Sequence, residues 1–120
     1  MANFNFHNPD YVNSNIYIKI TKPSSDEVWK FSTSELVANS ASETETNTSI
    51  NLTWNTLARG YPVTLPTALP TGEYDILFFA GTSAAAAEDN PYITGMGFKW
   101  DGQRKQIIGP PKARLTSRVE

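Results

Sequence analysis

His7 is the single histidine of a 120-residue chain that has no cysteine. It sits in the run Asn3-Phe4-Asn5-Phe6-His7-Asn8. A hydrolytic triad needs a base held beside a nucleophile and oriented by a third group. Nothing in this setting positions one, so His7 reads as a surface or interface residue. Carboxylates come in pairs at Asp26-Glu27, Glu43/Glu45, Glu73/Asp75 and Glu88-Asp89. A glycosidase needs two of them held roughly 5–10 Å apart across a cleft. Glu73 and Asp75 would share one strand face beside Lys19, and a solvated face accounts for them. Glu88-Asp89-Asn90 before Pro91 offers oxygens to a cation, but calcium takes roughly six to eight, and an Asx-type turn accounts for the stretch. There is no phosphate-cradling glycine loop, no GxGxxG and no His-rich ligand set. The sequence therefore predicts no catalytic, cofactor-binding or metal-binding residues, and no enzyme.

Trp29, Trp54 and Trp100 could form a platform for a sugar ring. In a domain this small, tryptophans more often fill the core or seal its ends. Core filling is the expectation, with an interface or a carbohydrate-binding platform as the alternatives.

The elements that would carry these side chains are short and β-like. Ile16, Ile18 and Ile20 alternate with Tyr17, Lys19 and Thr21, which predicts a strand over 16–21. Lys22-Pro23-Ser24-Ser25-Asp26 reads as a turn, so Glu27–Phe31 returns as the second arm of a hairpin. Ser34–Ala38 is compatible with one helical turn. Asn39–Ser49 is rich in Ser, Thr, Asn and Glu and reads as an exposed loop. Ile50, Leu52 and Trp54 alternate with polar residues, as in a half-buried strand, and Tyr61–Leu65 is a further short one. Tyr74–Ala80 is apolar on both faces at Leu77 and Phe79, so it belongs in the middle of a sheet. Tyr92–Trp100 is a strand in which Gly95 and Gly97 predict a bend or a closely packed neighbour. Thr82–Ala87 is a small-residue loop. Gln103–Ile108 closes the sheet, and Gly109-Pro110-Pro111 ends it. About seven short strands without a crossover helix predict an all-β, antiparallel β-sandwich. The expected boundaries are an N-terminal arm over 1–15, a sandwich over 16–108 and a C-terminal arm over 109–120.

The stretch Leu69-Pro70-Thr71-Gly72-Glu73-Tyr74-Asp75-Ile76 is followed by a small-residue loop ending in acids and a strand closing on Trp100-Asp101-Gly102. This L-P-x-G-x-Y-x-I…W-D-G order resembles small β-sandwich virion proteins of tailed bacteriophages. Val28-Trp29 and the strand around Trp54 sit where those proteins carry a tryptophan-bearing hairpin. The likeness spans roughly residues 16 to 108 and departs at the polar insert Asn39–Ser49. It implies a β-sandwich and a structural role in a virion assembled in the bacterial cytoplasm. The favoured role is a capsid decoration, or cement, protein bound to the major capsid protein and to neighbouring copies. The alternatives are a neck, adaptor or tail-spike attachment component and, from another class, a carbohydrate-binding adhesion module.

Composition and charge fit such a role. One hundred and twenty residues suit one domain with a real core. No apolar run approaches the roughly 20 residues of a membrane span. Met1–Asp10 has neither a basic nor an apolar signal region, so no secretory signal is expected. The net charge of -2 gives no drive toward nucleic acid. Residues 99–120 hold six Lys/Arg and two acids (+4), whereas residues 1–98 hold four and ten (-6). That asymmetry favours the tail of one copy docking on the body of another, a homo-oligomer. A twelve-residue tail spans about 40 Å when extended. Fixing it costs roughly 12–24 kcal/mol, so it needs several hundred Å2 of burial at about 25 cal/mol per Å2. The expected interface residues are Phe4, Phe6 and Tyr11 in the N-terminal arm. In the C-terminal arm they are Leu115 and Val119 as apolar anchors with Lys112, Arg114 and Arg118 as charge partners.

Overall fold

The computed structural model describes residues 3–11, 15–38, 48–80 and 92–111. The protein is all-β. Its strands are β1 (Phe4–Phe6), β2 (Ile16–Lys22), β3 (Glu27–Lys30), β4 (Glu35–Ala38), β5 (Ile50–Leu52), β6 (Tyr61–Val63), β7 (Gly72–Ala80), β8 (Tyr92–Trp100) and β9 (Lys105–Gly109). A 3-10 turn covers Pro9–Tyr11. Seven strands form one sheet in the order β4-β3-β2-β7-β8-β9, with β5 also paired to β2; β1 and β6 form a second, two-stranded sheet. Every pairing is antiparallel.

The large sheet has two faces, and the register assigns side chains to them. Ile16, Ile18 and Ile20 of β2 stand with Ile76 and Phe78 of β7 and with Phe98 of β8 on the first face. The small sheet lies over this face. Phe6 stacks on Phe78 with ring centroids 4.8 Å apart, and Phe4 meets Phe98 edge-on at 5.3 Å. Asn3 fastens the small sheet at its end: its amide donates to the Val63 carbonyl (2.8 Å), and its side-chain oxygen accepts from the Leu65 amide (2.7 Å). The second face carries Tyr17, Lys19 and Thr21 of β2 with Asp75, Leu77 and Phe79 of β7. All six are buried as well, so β2 and β7 are covered on both sides, as the apolar character of Leu77 and Phe79 predicted.

Turn chemistry fixes the hairpins. Asp26 and Ser34 adopt positive φ of 52° and 57°, and the Ser34 amide donates to the Lys30 carbonyl at 2.8 Å. Asp101 closes the β8–β9 turn by accepting from the Gln103 and Arg104 amides at 2.9 and 2.7 Å. Gly102 beside it sits at φ 100°, where a side chain would be strained. Gly95 and Gly97 are explained by close packing. A Cβ on Gly95 would stand 2.8 Å from Leu77 and 2.9 Å from the Ile76 carbonyl; one on Gly97 would press on Ile108 and the Pro110 carbonyl, each at 3.3 Å.

Four expectations are corrected. Residues 4–11 are not a free arm: Phe4 and Phe6 form β1, are 8% and 7% exposed, and Tyr11 packs against the core. The alternation Phe4-Asn5-Phe6 is strand-like, and β6 supplies the partner edge. Ser34–Ala38 is not a helical turn but a turn residue and β4, because Leu36 and Val37 pair with Trp29 and Val28 across the hairpin. The Glu73/Asp75 face is solvated at Glu73 but not at Asp75: Asp75 is 0% and Lys19 2% exposed, since both stand where the strands are covered on both sides. Of the polar insert, Thr48 and Ser49 are buried, and residues 39–47 lie outside the described residues. The Thr82–Ala87 loop and residues 112–120 of the C-terminal arm also lie outside them.

Replacing Phe6 with alanine removes a stacked ring from the contact between the sheets. A loss of about 3–5 kcal/mol is expected in urea unfolding, the usual range for a buried Phe→Ala change. A loss below about 1 kcal/mol would return Phe6 to the arm.

Candidate interaction surface

The residues with chemical potential are placed structurally. His7 is exposed, and its Nδ1 donates to the Arg59 carbonyl. Asn5 makes a parallel contact, its side-chain amide donating to the Ala58 carbonyl at 3.2 Å. Together they clamp the turn between Asn55 and Gly60, which an isolated bridge closes. Asp75 is 0% exposed although it borders a groove with Glu73, and it is not without a partner within the chain. The register puts Lys19 diagonally across from it, a separation long side chains span. Glu73 is exposed on the same face. It lines a groove of about 280 Å3 with Pro23, Ser24 and Ile108. Among the described residues, no three His, Asp or Glu side chains are grouped to hold a metal ion. Glu43, Glu45, Glu88, Asp89 and Asn90 lie outside the described residues.

The L-P-x-G-x-Y and W-D-G motifs turn out to tie to each other. Trp100 donates from its indole nitrogen to the Leu69 carbonyl at 3.1 Å. The Tyr74 hydroxyl donates to the Pro70 carbonyl at 2.6 Å. Gly72 and Trp100 are register partners in β7 and β8. The motifs thus pin the loop before β7 onto the end of β8. Burial, and secondarily the negative charge of Glu27, raise the Tyr74 pKa. Burial, and secondarily Asp75, raise that of Tyr92. Asp101 is lowered by the backbone amides of Arg104 and Gln103.

Two of the three tryptophans fill the core. Trp29 is 1% and Trp100 4% exposed. Trp54 is half-buried and meets Tyr61 edge-on at 5.2 Å. One tryptophan at the surface does not make a two-ring platform.

Among the described residues, the exposed large apolar side chains are Ile50, Leu57, Tyr92, Ile107 and Ile108. β9 is one outer strand of the large sheet, and its Ile107 and Ile108 are 46% and 40% exposed. Leu57, at the tip of the Asn55–Gly60 turn, is 97% exposed. Ile50 of β5 is exposed too. A cleft of about 380 Å3 opens between β5 and β6, with Ile18, Ile20, Phe31, Leu52, Trp54 and Val63 among its walls. Sequence reasoning missed this surface. The one available signal was Ile107-Ile108, two adjacent large apolar residues in a closing strand, which must point to opposite faces. Of the expected interface residues, Phe4, Phe6 and Tyr11 are turned inward, whereas Lys112, Arg114, Leu115, Arg118 and Val119 lie outside the described residues.

Comparison of the chain with protein-family models, curated proteins and solved structures finds no match.

Two outcomes follow. Iodide is expected to quench mainly the Trp54 fraction of the tryptophan emission, and Trp54→Phe should remove most of the quenchable signal; equal quenching of all three would contradict the placement. A folded-state tyrosine pKa above the usual value of about 10 contributes stability below that pH and loses it as pH rises through the folded value. The thermal midpoint should therefore fall above about pH 10, and Tyr74→Phe should flatten part of that fall.

Proposed function

We propose that this chain is a structural protein of a tailed-phage virion, a capsid decoration or cement protein that binds the major capsid protein and neighbouring copies of itself. The observation that carries the reading is the outer strand β9. It presents Ile107 and Ile108 to solvent at the end of the large sheet. Directly behind it the chain runs through Gly109-Pro110-Pro111 into a basic terminus. An outer strand with unpaired backbone groups is a template for pairing with another chain, and Ile107 and Ile108 offer one apolar side chain to each face at that edge. The virion assignment rests on the L-P-x-G-x-Y…W-D-G resemblance. The structure gives those motifs a fold-holding role, which suits a part that must be rigid and make contacts rather than turn over substrate.

The mechanism is additive. Each contact adds modest burial, and a lattice of copies converts modest contacts into avidity. A stable contact needs about 800 Å2 per partner, which an edge strand and a tail together can supply. The neck, adaptor or tail-spike reading uses the same surface at lower copy number. A carbohydrate-binding module is less favoured, because Trp29 and Trp100 are in the core.

The test is the ratio of this chain to the major capsid protein in purified particles, by quantitative mass spectrometry. Copies in the hundreds are expected for decoration. Copies on the order of six to eighteen would move the chain to the neck or tail, and absence from particles would overturn the virion reading.

A further inference from the structure

We infer that the two outer strands of the large sheet are each other's partners: β9 of one copy pairs antiparallel with β4 of the next, so that the sheet continues from chain to chain. The inference rests on the self-association part of the proposed function and names the surfaces that perform it.

Strand direction carries the first step. The path β4-β3-β2-β7-β8-β9 has six strands, and each runs opposite to its neighbour. An even number of antiparallel strands leaves the two outer ones pointing in opposite directions. A second copy set beside the first in the same orientation therefore offers its β4 antiparallel to β9, with the first faces of both sheets on one side. Among the described residues, each of these strands pairs on one side only. Both are open to solvent. Glu35 and Ala38 are exposed and Leu36 and Val37 half-buried on β4; Gln106, Ile107 and Ile108 are exposed on β9.

Length and side chains carry the second. β4 is the four residues Glu35–Ala38, entered from Ser34 at positive φ. The usable edge of β9 is also four residues, 105–108. Ile108 is the extra residue where the β8–β9 register shifts, and Pro110 and Pro111 beyond it have no amide to donate. Ile107 is the partner of Phe98 and Leu36 that of Trp29, so both stand on the first face. Ile108, against Gly97, and Val37, opposite Val28, stand on the second. Setting Ile107 opposite Leu36 matches the faces. It places Ile108 diagonal to Val37, within reach of a cross-strand contact, and Lys105 opposite Ala38.

Charge carries the third. β9 is entered through Arg104 and Lys105 and holds no acid. β4 begins with Glu35, and Glu27 of β3 is the partner of Ala38. In this register Lys105 and the next copy's Glu27 share the first face with only the small Ala38 between them. Their backbones are two strand spacings apart, about 10 Å, a gap that two long side chains close. A β9–β9 contact would offer Lys105 no acid. Opposite charge thus selects β4 over a second β9. The contact is heterologous, so copies add one after another instead of closing at two.

The full chain has no cysteine, so single cysteines report the contact cleanly. Ile107→Cys and Leu36→Cys chains are prepared separately, mixed and mildly oxidised; directly opposed Cβ atoms stand about 4.5–5.5 Å apart. Leu57→Cys, at a turn tip 97% exposed, measures random collision. Disulfides between Ile107→Cys and Leu36→Cys chains are expected at least tenfold faster than between like chains or with Leu57→Cys. A chain carrying both substitutions should give a covalent ladder beyond the dimer. Gln106→Cys with Val37→Cys repeats the test on the second face without touching Leu36. Ile107→Cys chains that join each other as fast as they join Leu36→Cys would put two β9 edges together and overturn the inference. Collision-level rates for both pairs would overturn it too. Sedimentation of the unsubstituted chain then separates the two claims: oligomers would leave self-association standing on another surface, and monomers would remove it as well.

Discussion

The structure depends on the stack of rings between its two sheets. Phe6 on Phe78 and Phe4 on Phe98 hold a two-stranded sheet that is too small to stand alone in water. Remove that contact and Ile16, Ile18, Ile20 and Ile76, all at most 2% exposed, lose their cover. Each large apolar side chain is worth about 1.5–3 kcal/mol when buried. A net stability of about 5–15 kcal/mol cannot absorb the loss of several at once. Phe4 and Phe6 are therefore part of the core, and their neighbours Asn5 and His7 serve to hold the Asn55–Gly60 turn.

The rest of the architecture follows from that cover. With the first face closed by β1 and β6, β2 and β7 become central strands. Burial of their second face explains how a lysine and an aspartate come to stand at near-zero exposure beside each other. A buried charge without a partner costs several kcal/mol, and neither Lys19 nor Asp75 lacks one. The sheet then runs outward to β4 on one side and β9 on the other. Among the described residues, these outer strands each pair on one side only.

Much of the frame was legible in the sequence. The alternation in Ile16–Thr21, the two-sided apolar run at Tyr74–Ala80 and the turn residues around Asp101-Gly102 each named an element and its place. Gly95 and Gly97 announced a close neighbour, which Leu77, Ile108 and Pro110 supply. The misses share a cause. Three residues, Phe4-Asn5-Phe6, are too few for a periodicity argument, and their partner edge lies more than fifty residues away. Glu35–Ala38 has no strand pattern of its own and is made a strand by Val28 and Trp29 opposite. Asp75 read as solvated because exposure depends on what covers a sheet, which local spacing does not encode. The candidate surface was less legible still, since the cleft exists only once β5 and β6 are brought together. The basic terminus, by contrast, was visible from charge and spacing alone.

The proposed function has this chain joining other copies through its outer strands and its basic terminus. Analytical ultracentrifugation of the purified full chain tests it most directly, over a range of protein concentrations at low and high salt. The account predicts species larger than the 13.3 kDa monomer, growing with concentration and diminished by salt, because copies with net charge -6 over residues 1–98 and +4 over residues 99–120 attract one another more strongly at low ionic strength. A single monomeric species at every concentration and salt would contradict it.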